Sequence, residues 1–201
     1  MPRHPDPLRK PQLLGEILEY LLDKSLASVS FRTIAQALDC STYTLVYHFG
    51  TRDQLLSEIV AAVSTRATAI EEQMRGASDT LDSYFAGLDA SWEWTLQPRN
   101  RQLQRLEFEA ALIEALEPHE HTFSRSLYDT WIRIGREALT SLGLEPGVAE
   151  FEVRLLVDHF YGIQYDFVLN GNAEPATRAY RETMRRHRER IEELLPARVA
   201  R

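Results

Sequence analysis

Apolar residues recur every three to four positions along most of this chain, and no stretch alternates apolar and polar side chains as a strand would. Prolines, glycines and short polar runs interrupt the pattern and divide it into amphipathic segments. We therefore expect an all-α protein of about nine helices. Their expected ranges are about Pro11–Lys24, Phe31–Leu38, Thr42–Phe49, Arg52–Met74, Thr80–Leu96, Arg101–Leu116, Glu120–Leu142, Val148–Leu169 and Pro175–Leu195.

The two short segments near the N-terminus carry the most informative local signals. Ser30 and Ser41 can each cap a helix N-terminus by accepting an unpaired backbone N–H. Asp39 stands in the turn between the two segments, and Asp is one of the few residues that tolerate a left-handed backbone. Gly50 can end the second helix with a positive φ. Two short helices joined by a tight turn predict a helix-turn-helix, whose second helix fits the DNA major groove.

The second helix of this motif should bury Leu45 and Phe49 and turn polar side chains outwards. Threonine and tyrosine can hydrogen-bond base edges, while a histidine or arginine at the helix end suits a phosphate contact. The residues expected to contact DNA are Ser30, Thr33, Ser41, Thr42, Tyr43, Thr44, Tyr47, His48 and Arg52.

This part of the chain resembles the TetR family of transcriptional regulators. The matching residues are Ser30–Ala35, Cys40–Ser41, Leu45, His48–Phe49 and Arg52–Leu56. Val46 departs from the family pattern, which has a phosphate-contacting Tyr there, and Tyr47 follows one place later. Arg52 stands for a family Lys and keeps its charge. The resemblance covers about the first 60 residues and implies a homodimeric regulator, most often a repressor, with an effector pocket in its C-terminal helices.

We therefore divide the chain into two expected domains. Residues 1–56, here called the head, form the helix-turn-helix DNA-binding domain, with a flexible arm over residues 1–8. Residues 57–201, called the body, form a helical bundle for effector binding and dimerisation. The segment 148–169 is apolar on nearly all faces and needs cover on both sides, which favours a homodimer through the C-terminal helices. Glu107, Glu109, His119 and His159 are candidate polar anchors for an effector. The aromatic residues expected to line the effector pocket are Phe85, Trp92, Phe108, Phe123, Trp131, Tyr161 and Tyr165.

The net charge of the 201-residue chain is −7, which is unusual for a DNA-binding protein. Residues 1–56 hold six basic and six acidic side chains, so the acidic excess lies wholly in the body. A neutral head predicts modest non-specific attraction to DNA and a real need for base contacts. The one cysteine, Cys40, excludes an internal disulfide. Without an 18-residue apolar run or an apolar signal core, we expect a cytoplasmic protein with no membrane partner.

Enzyme chemistry finds little support in the sequence. It has no Glu-x-x-His pair, Gly-rich phosphate loop or Gly-x-Ser-x-Gly elbow. His119 and His121 flank Glu120 in the one ligand-like cluster, which reads best as an exposed polar corner. We therefore expect no catalytic residue, metal or cofactor, and a regulator that a small-molecule effector releases from a palindromic double-stranded DNA operator.

Two alternatives stay open at this point. Val46 and the neutral head charge leave open a helical protein-interaction or adaptor module that does not bind DNA. A remoter alternative is a metal-dependent enzyme at His119 and His121.

Overall fold

The computed structural model describes residues 8–75, 80–116 and 123–196, and the regular structure in these ranges is helical throughout. The expected all-α class is confirmed. The helices are α1 (Arg9–Leu21), α2 (Phe31–Ala37), α3 (Thr42–Phe49), α4 (Arg52–Arg75), α5 (Leu81–Leu96), α6 (Pro98–Leu116), α7 (Phe123–Ser141), α8 (Pro146–Asn170) and α9 (Ala173–Leu194), with a 3₁₀ turn at Leu26–Ser28.

Four helices, α1, α6, α8 and α9, begin two or three residues earlier than the apolar pattern indicates, and two of them begin at a proline. α6 starts at Pro98 rather than at Arg101, and α8 starts at Pro146 rather than at Val148. Proline has no N–H, but the first helical residue needs none, so these prolines begin the helices instead of breaking them. The Glu145 carboxylate completes the α8 cap by accepting the Val148 N–H at 2.9 Å.

Local backbone signals position the helix-turn-helix. The Ser30 hydroxyl accepts the Thr33 N–H at 3.2 Å and so caps α2. Asp39 has a φ of 47° and turns the chain between α2 and α3, as expected for this position. α3 spans Thr42–Phe49, the range that the sequence predicts, and ends at Gly50 with a φ of 71°. The positive φ angles of Asp39 and Gly50 therefore set the direction in which the chain enters and leaves α3.

Two apolar clusters form the interior of the described ranges. The body cluster joins α5, α7, α8 and α9. The head cluster joins α1, the 3₁₀ turn, α2, α3 and the first part of α4, and it also includes Leu103, Leu106 and Ala110 of α6. α6 therefore belongs by sequence to the body but completes the core of the head.

Candidate nucleic-acid interface and effector cavity

The outward face of α3 carries four exposed side chains at helical spacing: Thr42, Tyr43, Val46 and Tyr47. Tyr43 is 76% exposed and Tyr47 is 61% exposed, whereas Leu45 on the opposite face is fully buried. Large aromatic side chains this exposed are not used by the fold of this chain. The face therefore presents two apolar rings, two hydroxyls of those rings, and a threonine to whatever approaches α3.

Three of the expected DNA-contacting hydroxyls cap helices. Ser30 and Thr33 bond reciprocally at the start of α2, and the Ser41 hydroxyl accepts the Thr44 N–H at 3.0 Å at the start of α3. Their first role is therefore to cap the N-termini of α2 and α3. Both helix N-termini lie at the surface, where backbone N–H groups favour an anion such as phosphate.

His48 and Arg52 stand at the end of α3 and the start of α4. The His48 ring is partly buried and meets the Tyr47 ring edge-on, with centroids 5.0 Å apart. The Arg52 Nε donates to the Val29 carbonyl at 2.9 Å, which ties α4 to the connection before α2. Arg52 therefore has a structural role, and about half of its side chain remains exposed for a phosphate.

Arg32 is exposed on the first turn of α2 and was not among the residues expected to contact DNA. The sequence feature that could have identified Arg32 as a phosphate contact is its position two residues after the Ser30 cap. The N-terminus of a helix favours anions at this place. By contrast, Lys10 pairs with Glu58 at 2.6 Å and lies over the Phe49 ring, so it helps to hold the head together.

A cavity lies between α5, α6, α7 and α8 in the body. The space that the centre of a water molecule can reach there is about 70 Å³, room for several waters or a small ligand. Most of the lining is aliphatic or aromatic. The apolar lining includes Leu88, Ile134, Val153, Leu156, Val157 and Phe160.

Of the aromatic residues expected at an effector pocket, Trp131 and Tyr161 line this cavity. Phe108 and Tyr165 meet edge-on beside it, with ring centroids 5.7 Å apart, and do not reach its wall. The side chain of Phe123 lies outside the part of the chain that the structure describes.

Phe85 and Trp92, also expected at the pocket, are buried in the body core instead. Trp92 stacks on Tyr180 with ring centroids 5.0 Å apart. Phe85 packs against His187, whose ring nitrogen lies 3.1 Å from the Tyr84 hydroxyl. Burial lowers the pKa of His187 to about 4, so this imidazole is neutral at pH 7. Phe85 and Trp92 therefore stabilise the body and are not among the residues that line the cavity, whereas the neighbouring Tyr84 is.

Three polar residues, Gln104, Glu107 and Gln164, line the cavity although each is buried. The Tyr161 hydroxyl donates to Glu107 Oε1 at 2.9 Å, and Gln164 Nε2 donates to the Thr95 hydroxyl at 3.1 Å. The sequence suggests Glu107 as a polar anchor but gives no signal for the two glutamines, because an amide on a helix reads equally well as solvent-facing.

The other suggested anchors lie elsewhere. Glu109 faces the head. His159 is exposed on α8, where its Nδ1 lies 2.7 Å from the Leu155 carbonyl oxygen. His119 lies outside the described residues.

Two side chains of α6 hold the head. The Glu109 carboxylate accepts the Leu26 N–H at 2.7 Å and the Ser25 hydroxyl at 2.8 Å, and it pairs with Arg105. Arg105 in turn donates to the Leu21 carbonyl at 2.9 Å. This bond satisfies a carbonyl at the C-terminal end of α1. The helix ends at Leu21, three residues before Lys24, where the apolar pattern predicts its end. The pair therefore fixes the end of α1 and the start of the 3₁₀ turn that leads into α2.

One face of α8 is exposed along the full helix. Six exposed residues on this face are separated by four, three, four, three and four positions. Alternating spacings of three and four are the repeat by which helices pair in a coiled coil. An added Cβ at the central glycine of this stripe would meet no atom within 4 Å. The stripe consists of Phe151, Leu155, Asp158, Gly162, Tyr165 and Leu169.

Within the described ranges, no group of three or more His, Cys, Asp or Glu side chains is arranged to hold a metal ion. The His119–His121 cluster lies outside those ranges. Among the helices described, none combines the length and the apolar character that crossing a membrane requires.

Comparison with solved structures finds the same architecture in other proteins. The chain is similar to a TetR transcriptional regulator from Legionella pneumophila, with a TM-score of 0.67 and 14% identity over 98% of this chain and 100% of that one. It is similar to the multidrug binding protein EbrR, solved with imidazole, with a TM-score of 0.65 and 22% identity over 98% and 95% of the two chains. The TetR family repressor AlkX from Dietzia sp. gives a TM-score of 0.54 and 15% identity over 92% and 98%.

No protein-family model and no curated protein sequence matches the chain. At these low identities the likeness to solved structures concerns the fold. The chain therefore has the fold of TetR-family transcriptional regulators, with a helix-turn-helix head followed by a helical body, as the sequence resemblance implies.

Proposed function

We propose that this protein is a TetR-type DNA-binding transcriptional regulator that binds a palindromic operator as a homodimer and acts as a repressor. The observation that carries the proposal is the outer face of α3, a helix with a capped N-terminus on which Tyr43 and Tyr47 are largely exposed. A helix of two turns presented this way fits a major groove, where tyrosine hydroxyls and the Thr42 side chain can contact base edges.

The charged residues of the head suit contacts with DNA phosphates, whereas the outer face of α3 suits contacts with base edges. Arg32 and the exposed part of Arg52 can contact phosphates, together with the N-termini of α2 and α3. The equal number of acidic and basic residues in 1–56 limits non-specific attraction, so binding should depend on base contacts more than in a strongly basic head.

The stripe on α8 supports a homodimer. Phe151, Leu155, Tyr165 and Leu169 are large apolar residues that the chain leaves exposed on one side of one helix. Clustered exposed apolar side chains indicate an interaction surface, and a seam on the same helix of a second copy would be self-complementary about a two-fold axis. In the dimer the two heads should reach major-groove faces about 34–36 Å apart.

The cavity supports regulation by a small-molecule effector. It borders α6, which also completes the head core and holds the head through Arg105 and Glu109. An effector that prefers a body shape in which the heads are misplaced must lower operator affinity by the same factor by which the operator lowers effector affinity. Through this reciprocal effect on the two affinities, an effector bound in the cavity would release the protein from its operator.

Anisotropy titrations with a labelled duplex from upstream of the gene, and with a scrambled duplex of equal length, test DNA binding. We expect preference for the upstream duplex and a weaker preference in Tyr43→Ala. Arg32→Gln should weaken both duplexes alike and lower the salt slope by about 1, the share of one phosphate contact.

Arg178→Gln on the exposed side of α9 is the matched control, because it removes one positive charge far from the head and should change neither quantity. Arg52→Ala is a poorer probe than Arg32→Gln, because it also removes the bond to the Val29 carbonyl. Equal binding of both duplexes by the unaltered protein, or no binding, would refute the regulator and favour the adaptor alternative.

A further inference from the structure

The outer face of α3 carries an aliphatic side chain that the fold of the chain does not explain. Val46 is 47% exposed, and it is not among the described residues that form the head cluster or pack against it. Valine is also a weaker helix former than alanine or leucine, because its branched Cβ restricts the side chain against the preceding turn. Neither packing nor helix stability therefore accounts for a valine at this position of an eight-residue helix.

The position of Val46 suits it to meet whatever α3 contacts. It follows Thr42 by four residues and Tyr43 by three, so the three exposed side chains are neighbours on one surface of the helix. A valine in a helix strongly prefers one side-chain rotamer. The two methyl groups of Val46 therefore point in a fixed direction, and little side-chain entropy is lost when they meet a partner.

The composition of α3 limits how it can read base edges. The helix holds no Arg or Lys for guanine and no Asn or Gln for adenine. Its outer face offers the hydroxyls of Thr42, Tyr43 and Tyr47, and an apolar surface that Val46 shares with the two tyrosine rings. A hydroxyl both donates and accepts, so it discriminates weakly between bases. The apolar surface is more selective, because the apolar group that base edges present in the major groove is the C5 methyl of thymine.

We propose that Val46 is a specificity-determining residue of α3, which contacts the C5 methyl group of a thymine in each operator half-site. The occupant of this face is DNA and not a protein, because the same head exposes Arg32 and about half of the Arg52 side chain, which suit a polyanion. The inference rests on the proposed function and deepens it, because it names a chemical group by which the operator is recognised.

Anisotropy titrations of the full-length protein with deoxyuridine-substituted duplexes test this contact. Deoxyuridine pairs with adenine as thymidine does and lacks only the C5 methyl group. Each thymine of the upstream duplex is replaced in turn, together with its symmetry-related partner in the other half-site. For the unaltered protein we expect one such replacement to weaken binding about 15-fold, because burying each of the two methyl groups contributes roughly fourfold.

The variant Val46→Ala assigns the contact to this residue. It should bind the unsubstituted duplex more weakly than the unaltered protein does, and the same deoxyuridine replacement should then weaken binding by less than about twofold, because the partner of the methyl group is gone. Leu112→Ala is the matched control, since Leu112 is an exposed apolar residue of α6 in the body, and it should keep the full effect of the replacement. Thermal melts of both variants verify that they fold.

An effect of deoxyuridine that is equally large in Val46→Ala and in the unaltered protein would overturn the assignment of Val46. Unchanged affinity across all the replacements would overturn it on the unaltered protein alone, even if Val46→Ala does not fold. Either result, obtained while the upstream duplex is still preferred over the scrambled one, leaves the regulator standing. Absence of DNA binding by the unaltered protein would refute both the regulator and the thymine contact.

Discussion

The contact between Glu109 and the head yields a prediction that the structure makes quantitative. The carboxylate accepts the Leu26 N–H at 2.7 Å and the Ser25 hydroxyl at 2.8 Å, and Arg105 pairs with it from the same helix. The Glu109 and Arg105 side chains are about one quarter exposed, so water screens the pair only in part. The substitution Glu109→Gln keeps the shape and one acceptor oxygen but removes the charge.

The expected loss follows from these contacts. A hydrogen bond to a charged group contributes about 1.5–3 kcal/mol, compared with about 1 kcal/mol for a neutral one. Glu109→Gln changes the bond from the Leu26 N–H from the first kind to the second and breaks the ion pair with Arg105. We expect the 3₁₀ turn and the start of α2 to lose about 2 kcal/mol of local stability, which corresponds to a roughly 30-fold larger equilibrium constant for local opening.

Amide hydrogen exchange measures this loss at the Leu26 N–H itself, the donor to Glu109. A second variant, Glu58→Gln, is the control, because it breaks the Lys10–Glu58 pair at 2.6 Å, a more exposed ion pair that joins α1 to α4. An exposed pair contributes at most about 1 kcal/mol, so this variant should leave Leu26 exchange nearly unchanged. Leu26 exchange within about twofold of the unaltered protein in Glu109→Gln would refute the reasoning.

Three further predictions follow. Leu155→Arg places a charge in the exposed α8 stripe and should raise the dimer dissociation constant at least about 100-fold; sedimentation velocity measures it, and an unchanged dimer would show that the seam lies elsewhere. Burial lowers the pKa of His187 from 6.5 to about 4; the unfolded chain therefore binds the proton more readily, and the free energy of unfolding should fall by about 2 kcal/mol between about pH 7 and pH 5. Urea titrations at the two pH values measure this fall in the free energy of unfolding. The fall should be smaller in His187→Gln and unchanged in His159→Gln, which alters an exposed ring. Asp39→Val should cost about 1–2 kcal/mol at the left-handed φ of 47°, whereas Asp39→Asn should melt like the unaltered protein.

The helix-turn-helix could be predicted from sequence because its signals are local. Ser41 and Gly50 bound α3 by their own hydrogen-bonding and conformational preferences, and Asp39 takes the left-handed turn that its short side chain tolerates. Such signals do not depend on distant parts of the chain, so the expected range Thr42–Phe49 agrees with the structure to the residue.

The cavity could be predicted less well, because its lining depends on how four helices are rotated against each other. Trp92 and Trp131 look alike in sequence, since both lie on apolar stripes of body helices, but one stacks on Tyr180 in the core and the other lines the cavity. Gln104 and Gln164 have polar side chains that ordinarily face water. Tertiary packing alone places them inside.

α6 connects the two proposed sites, the outer face of α3 in the head and the cavity in the body. Successive residues of a helix lie 100° apart, so Gln104 and Glu107 project roughly opposite to Arg105, Leu106 and Glu109. The structure agrees: the first pair lines the cavity, while the others contact the head.

A helix of this length moves as a rigid element, and a ligand that displaces the cavity side must therefore displace the side that holds α1 and the 3₁₀ turn. Because the Leu26 N–H donates to Glu109 across the boundary between body and head, its exchange rate should respond to a ligand bound in the cavity of the unaltered protein. In Glu109→Gln the same ligand should change that rate much less. A ligand response of equal size in both would show that the coupling passes through α4 instead.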